Sequence, residues 1–422
     1  MQDIILTRLF EQERWSEAIH HGIEKKMNRH NLSTFCLSDS LAALYAAIRD
    51  GKKRIFPPHT LEIPKKNSSE MRIVMANEDE DRVLLTNINN LLFELCPDMI
   101  HPQCVSYQRG ISCDGIVRKA SEYIKNAKGR TIGWKSDLSK YFDSVPIRYI
   151  DKCFDDIESR VGHSAVIDLL RDYYHSDTYF DGDNNLCEQY KSLKQGCAVA
   201  AFLADAVLYH IDEKLSQLDG YYVRYSDDAI FIGKDYEKAM EIMKSELEKM
   251  EMKLNPKKIE WIDSRFWFRF IGFSLRGGEI SLSDDTIANL QKDIDKVTIL
   301  DRNATYKSAL RAVNRIIYIG DGKHSWYARA LFTCNVPEDI NTINDFVIDR
   351  LRAVALGNKR TKLGGIGFSY CQKRGCINRG KGQNVTANRK KMPLLDGYRT
   401  IKCMMNARRS SRAVYDVLVA QM

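Results

Sequence analysis

Apolar residues recur at three- and four-residue spacing along much of the first third of the chain. "SLAALYAAIRD", "DRVLLTNINNLLFELC" and "DGIVRKASEYIKNA" each carry that period, which predicts three amphipathic helices. Between the first two, "LEIPKKNSSEMRIVMANED" breaks the pattern with a polar, basic turn and predicts a hairpin. "TIGWKSDLSKYFDSVP" predicts a strand running into Asp137 and closed by Pro146. Helical spacing returns in "AVIDLLRDYYHS" and "AVAAFLADAVLYHIDEKLSQL". In "YYVRYSDDAIFIG", Tyr221 to Gly233, strand-forming residues flank Ser-Asp-Asp on both sides, which predicts a second hairpin with the acids at its tip. The helix "YEKAMEIMKSELEKM" and the strand-rich "WFRFIGFSLRGGEISLS" come next, and from Asp284 onward the spacing is helical again. The pattern describes an α+β chain, with a sheet layer covered by helices in the middle and helical regions at both ends. No internal repeat interrupts it.

Composition adds bounds. At 422 residues, 44% hydrophobic and 28% charged, the chain has the size and balance of a soluble protein of two or three domains. No uninterrupted apolar run approaches the length of a bilayer span, and "MQDIILTRLFEQERW" has no cleavage-site pattern. Eleven cysteines without a repeated spacing fit reduced thiols. A cytoplasmic chain with no membrane partner is therefore expected. Cys371 and Cys376 lie close in "CQKRGC" but lack the second pair that a structural zinc site needs.

Charge changes the picture more. The net charge is +8, yet Leu351 to Met422 alone carries sixteen lysines and arginines against Asp396 and Asp416, a local +14 that leaves the first 350 residues at −6. A segment this basic suits a polyanion. From Leu394 on, apolar residues at helical spacing with arginines on the other face predict a folded, nucleic-acid-facing region.

The candidate chemistry lies in the acids. Asp227 and Asp228 sit at a hairpin tip, and Asp137 ends a second strand in the same way. Anions about 4 Å apart repel, and burial sharpens the repulsion. A solvated turn is the plain explanation of an isolated Asp-Asp. Carboxylates from two neighbouring strand ends instead suit two hard divalent cations, whose oxygen shells substrate phosphates complete. Two metals about 4 Å apart serve in-line phosphoryl transfer, one lowering the pKa of the attacking hydroxyl and one stabilising the leaving oxygen.

With these residues in view, an ordered set of motifs resembles the reverse transcriptases. "DLSKYFD" looks like the first palm motif, which implies metal binding by Asp137 with help from the Leu138 carbonyl. Phe142 matches the aromatic that lies under the sugar and rejects a 2′-hydroxyl. "LKQG" resembles the template- and nucleotide-positioning motif, here Gln195 and Gly196. "YSDD" is similar to the YxDD signature, "LNPKK" to the motif whose lysine is Lys258, and "FRFIGF" to the primer grip, with Phe270 and Gly272. Upstream, "IPKKNSSEMR" resembles the fingers hairpin whose Lys65 and Arg72 hold the triphosphate, Lys66 being the alternative to Lys65. "SYQRGIS" is similar to a short motif preceding the palm in bacterial and group II intron enzymes. Each residue also has a plainer role open to it: Phe142 as core, Gln195-Gly196 as a helix-entry turn, Lys258 as a surface charge.

The resemblance spans Ile63 to Phe273 and implies a right-hand polymerase with fingers, an antiparallel-sheet palm and a helical thumb. The expected division is 1–60 as an N-terminal helical region, 61–280 as fingers and palm, and 281–422 as thumb and basic nucleic-acid-binding region. The implied activity is RNA-directed DNA synthesis from dNTPs, with two Mg2+ held by Asp137, Asp227 and Asp228 and with Lys258 as proton donor. Where many family members have Ser-Pro and Asn after the Gln-Gly pair, this chain has Ala200, Ala201 and Asp205, which leaves contact from that helix to the nucleotide in question. The compact layout looks like the defence-associated bacterial enzymes, which implies a structured non-coding RNA template, a DNA product and a role in antiphage immunity. Protein-primed or untemplated synthesis, a group II intron-like maturase, and an inactive RNA-binding scaffold are the other readings.

Overall fold

β-Branched and aromatic residues cluster where strands form, and helices fill the intervals. The computed structural model describes residues 2–24, 33–64, 71–108, 110–127, 129–188, 192–319, 325–355, 368–371, 376–379 and 398–422. Its strands are β1 (His59–Pro64), β2 (Met71–Ala76), β3 (Ile132–Asp137), β4 (Tyr179–Phe180), β5 (Leu186–Cys187), β6 (Gly220–Tyr225), β7 (Asp228–Gly233) and β8 (Glu260–Asp263). After these come β9 (Phe268–Phe270), β10 (Phe273–Arg276), β11 (Glu279–Leu282), β12 (Phe368–Cys371) and β13 (Cys376–Arg379). They form sheets in the orders β2-β1-β4-β5, β6-β7-β3-β8, β11-β10-β9 and β12-β13. Among the described residues no helix is long and apolar enough to cross a membrane.

The sheet β6-β7-β3-β8 separates two environments. Its register pairs Trp134 with Phe231 and Phe231 with Tyr222, so these three large rings share one face. All three are buried, and Trp134 Nε1 donates to the Tyr236 carbonyl at the start of helix Tyr236–Lys249, 2.8 Å away. Helices cover that face. On the other face the same registers align Lys135 with Ile230, and Asp137 with Asp228 and Tyr225. Lys135, Asp228 and Tyr225 keep partial exposure.

The chain forms two compact units, Met1–Arg109 with Gly133–Trp261, and Gly110–Ile132 with Ile262–Met422. In the first, the N-terminal helices Ile4–Leu9 and Gln12–Glu24 pack on helix Asp79–Leu95, so these helices share a core with those downstream of them. In the second, helix Cys113–Asn126 packs on β10 and β11. Ser121 donates to the Gly278 carbonyl at 2.9 Å, and Arg118 donates to Thr333 Oγ1 at 2.9 Å.

Two expected helices are each split. "AVAAFLADAVLYHIDEKLSQL" forms Ala200–Ala206 and Tyr209–Ser216. The carbonyls of Ala204 and Asp205, which a continuous helix would pair with the amides four residues on, are taken by side chains. Tyr141 Oη donates to Ala204 at 2.5 Å and Arg224 Nη2 to Asp205 at 2.9 Å. The C-terminal segment divides into Ile401–Ser410 and Arg412–Ala420 at Ser411, which is extended and accepts the Val414 amide on its own hydroxyl. Most of the basic stretch before it, 356–367, 372–375 and 380–397, lies outside the described residues.

One glycine is dictated by close approach. Gly196 has φ +107°, and a Cβ there would come within 2.4 Å of Val74 Cγ1 and 2.5 Å of the Met75 carbonyl. The Met75 amide donates to the Gln195 carbonyl at 2.6 Å, so this loop lies directly along β2. Gly196→Ala is expected to destabilise the first unit by about 1–3 kcal/mol, because the strain falls on backbone. Urea unfolding measures it, and an unchanged midpoint would mean that the loop yields freely.

Candidate active site

The hairpin β6–β7 turns in two residues, since Tyr225 and Asp228 are register partners and only Ser226 and Asp227 lie between them. Ser226 has φ +57° and Asp227 does not have positive φ, the sign pattern of a type II′ turn. This tight turn sets Asp227 at the strand end and Asp228 as the first residue of β7. Asp228 is also the register partner of Asp137 on β3. Beyond that pair the strand ends stay tied, with the Leu138 amide donating to the Asp227 carbonyl at 3.2 Å. The Asn255 amide donates to the Asp137 carbonyl at 2.8 Å and the Ser139 amide to the Lys253 carbonyl at 2.8 Å, which bring "LNPKK" alongside. Carboxylates from two segments far apart in sequence therefore share one corner of the sheet.

Their electrostatics match a cation site. Burial first, then the charges of Asp137 and Asp228, push Asp227 up to about 6. Asp228 is likewise raised, chiefly by burial, with Lys135 opposing the shift. Asp137 is only 8% exposed, and Lys258 Nζ donates to its Oδ2 at 2.7 Å. Clustered anions that disfavour their own ionisation are a site short of positive charge, and an all-oxygen donor set suits a hard divalent ion. Asp137, Asp227 and Asp228 fit such an ion. The lysine beside Asp137 is within proton-transfer reach of the same corner.

The other expected residues lie on separate segments. Phe142 is half-buried, set edge-on to Tyr141 at 5.5 Å, and its carbonyl accepts the Leu193 amide at 3.1 Å. That bond joins the segment after Asp137 to the loop Lys194–Gly196, and the loop in turn lies on β2. Arg72 is exposed on β2, opposite Ile63 of β1. Lys65 and Lys66 fall outside the described residues. Asp205 is fully buried and its Oδ1 accepts the Ser106 hydroxyl at 2.5 Å, so helix Ala200–Ala206 turns this carboxylate inward. In the second unit Phe270 is fully buried, and Gly272 has φ +86° in the turn from β9 to β10. That turn presents backbone, not the Phe270 ring.

Sequence reasoning passed over Arg224, Asp212 and the role of Ser106. Arg224 and Asp212 are both fully buried and joined by two hydrogen bonds, Nε to Oδ1 at 2.8 Å and Nη2 to Oδ2 at 2.6 Å. The signal was present: an arginine inside the otherwise apolar run "YYVRY" needs a buried partner.

Residues 63–275, half of the chain, match the reverse transcriptase (RNA-dependent DNA polymerase) family. No curated protein matches the sequence. Among solved structures, telomerases of two yeasts are similar. Apo telomerase from Candida tropicalis aligns with TM-score 0.45 at 13% identity, covering 74% of this chain and 59% of that one. The Candida albicans telomerase in complex with a fragment of telomeric RNA aligns with TM-score 0.43 at 11% identity, covering 72% and 59%. The chain thus spans less than two thirds of the length of these telomerases. Its sheet, its ordered motifs and the family match agree, and the chain belongs to the reverse transcriptase family, the RNA-dependent DNA polymerases.

Proposed function

We propose that this chain extends a primer with deoxynucleotides along an RNA template, using two Mg2+ held by Asp137, Asp227 and Asp228. The single observation that carries this reading is the register pairing of Asp137 with Asp228 at a two-residue turn. When bound, the ions would activate the primer 3′-hydroxyl and stabilise the leaving pyrophosphate. The chain's own residues do the rest. Arg72, a planar fork on an exposed strand, and Lys65 hold the β and γ phosphates. Gln195 and Gly196, pinned against β2, bound the base and sugar, and Phe142 excludes a 2′-hydroxyl. Lys258, hydrogen-bonded to Asp137, supplies a proton to the departing pyrophosphate. The turn at Gly272 contributes backbone to the primer.

The basic C-terminal region is assigned to a structured RNA, the template being a non-coding RNA encoded near the chain's own gene. The resemblance to defence-associated enzymes supports a role in bacterial antiphage immunity, in the cytoplasm. RNA binding of this kind weakens steeply with salt, because phosphate contacts release counterions. Sequencing the product distinguishes a copied RNA from a random or homopolymer tail.

Asp227→Asn with Asp228→Asn is expected to abolish primer extension while RNA affinity stays within twofold. Extension by that double variant would end the assignment. Phe142→Ala is expected to raise ribonucleotide use relative to deoxynucleotide by tenfold or more in single-nucleotide addition assays, and an unchanged ratio would remove Phe142 from sugar selection. A third expectation concerns pH. Asp227 sits above its ordinary 3.8, so the folded chain holds that proton more tightly than the unfolded one, and ionised Asp227 destabilises the metal-free fold. Asp227→Asn should then stabilise the metal-free protein by on the order of 1–2 kcal/mol above pH 6, the gain fading as pH falls towards 4. Unfolding in EDTA at pH 8, 6 and 4.5 tests this, and a gain independent of pH would assign it to another cause.

A further inference from the structure

Beneath the catalytic turn lies a polar cluster on the covered face of the sheet. Arg224, Ala229 and Ser136 are aligned in register, so Arg224 projects from the face opposite Asp137 and Asp228. Its guanidinium is fixed by Asp212 on helix Tyr209–Ser216 through their two hydrogen bonds, and Tyr222 Oη donates to the same Asp212 Oδ1 at 2.7 Å. Held in this orientation, Arg224 Nη1 donates to the Ser226 carbonyl at 3.0 Å. The other backbone group of Ser226 is held too, its amide donating to Ser106 Oγ at 2.9 Å. Ser106 passes its own hydrogen to Asp205, whose second oxygen, Oδ2, is buried with no hydrogen-bond partner among the described residues. Ser106 reaches the turn because Gln103 to Val105 runs beside β6. Arg224 N donates to the Gln103 carbonyl and Val105 N to the Arg224 carbonyl, both at 2.9 Å.

Both polar backbone groups of one residue are therefore claimed by buried side chains, and that residue has the left-handed φ that serine rarely adopts. Without the clamp, the strand–turn–strand segment would relax towards commoner turn geometries and move Asp227, the next residue. A buried ion pair alone adds little net stability. The four donated bonds of Arg224 do more than neutralise Asp212, because they aim one arm of a rigid fork at the turn.

We propose that Arg224, oriented by Asp212, and Ser106, oriented by Asp205, are positioning residues that hold the Ser226–Asp227 turn in its metal-binding geometry. This rests on the polymerase reading for its rate consequence, but not for its metal consequence. The cluster touches no substrate. It acts through the backbone of Ser226, so its loss lowers metal affinity and turnover while leaving nucleotide and RNA contacts in place.

The experiment measures Mn2+ binding to the full chain by electron paramagnetic resonance, with primer extension beside it. Arg224→Lys keeps the charge and removes the fork; Ser106→Ala removes the acceptor and no charge, and serves if Arg224→Lys does not fold. Each folded variant is expected to bind Mn2+ about tenfold more weakly than the unsubstituted chain, and to lose about tenfold in kcat with the dNTP KM within twofold. Wild-type Mn2+ affinity in a folded Ser106→Ala chain would overturn the proposal, as would a loss confined to KM. If the unsubstituted chain binds Mn2+ through Asp227 and Asp228 but extends no primer, the polymerase reading fails, while weaker Mn2+ binding in the variants still supports the clamp.

Discussion

Like charges held together govern this fold. Asp137 and Asp228 are register partners on adjacent antiparallel strands, with Asp227 one residue away at the turn. Hydrogen bonds of the ladder impose that proximity on groups that repel, and Asp227, through its burial first and these neighbouring charges second, binds its proton more tightly than a solvated aspartate does. Lys258, paired with Asp137, offsets part of this repulsion, and the fold derives its stability elsewhere. Trp134, Tyr222 and Phe231, on the opposite face and further along the strands than Arg224, supply a buried aromatic layer.

The sheet thus divides labour by face. Next to the turn, Arg224 and Ala229 take the covered face while Tyr225 and Asp228 take the carboxylate corner, and a one-residue slip would exchange them. The covered face is not wholly apolar, since Arg224 lies there with Asp212 and Asp205. Those polar groups also explain why the helix following Gly196 breaks at Val207 and Leu208. Arg224 and Tyr141 occupy the carbonyls that a continuous helix would use, so one set of side chains shapes both the helical layer and the turn it supports.

Much of this was legible in the sequence because period-two alternation and strand-end acids are local signals. The segments carrying Asp137 and Asp227 read as strands, and their acids as strand-end residues, without knowledge of their pairing. The broken helix was not legible, because Tyr141 contacts a carbonyl 63 residues away and nothing within "AVAAFLADAVLYHIDEKLSQL" signals it. Nor was the inward direction of Asp205, which depends on Ser106, 99 residues upstream. The aromatic run at Phe266 to Phe273 announced a strand pair, but the packing of β9 and β10 alone determines which rings are buried. In each case tertiary contacts decided what spacing left open.

The division of the chain bears on how it is made. Residues Gly110–Ile132 belong with Ile262–Met422, although more than a hundred residues of the other unit lie between them. Helix Cys113–Asn126 therefore leaves the ribosome well before its partners, and the bond from Ser121 to Gly278 closes a separation of 157 residues. Until β10 and β11 emerge, Ile116, Val117, Ala120 and Ile124 have no core to enter, and the nascent chain carries an uncovered apolar stripe. Synthesis that stalls before β10 and β11 emerge would leave that stripe exposed, a state prone to aggregation or chaperone capture.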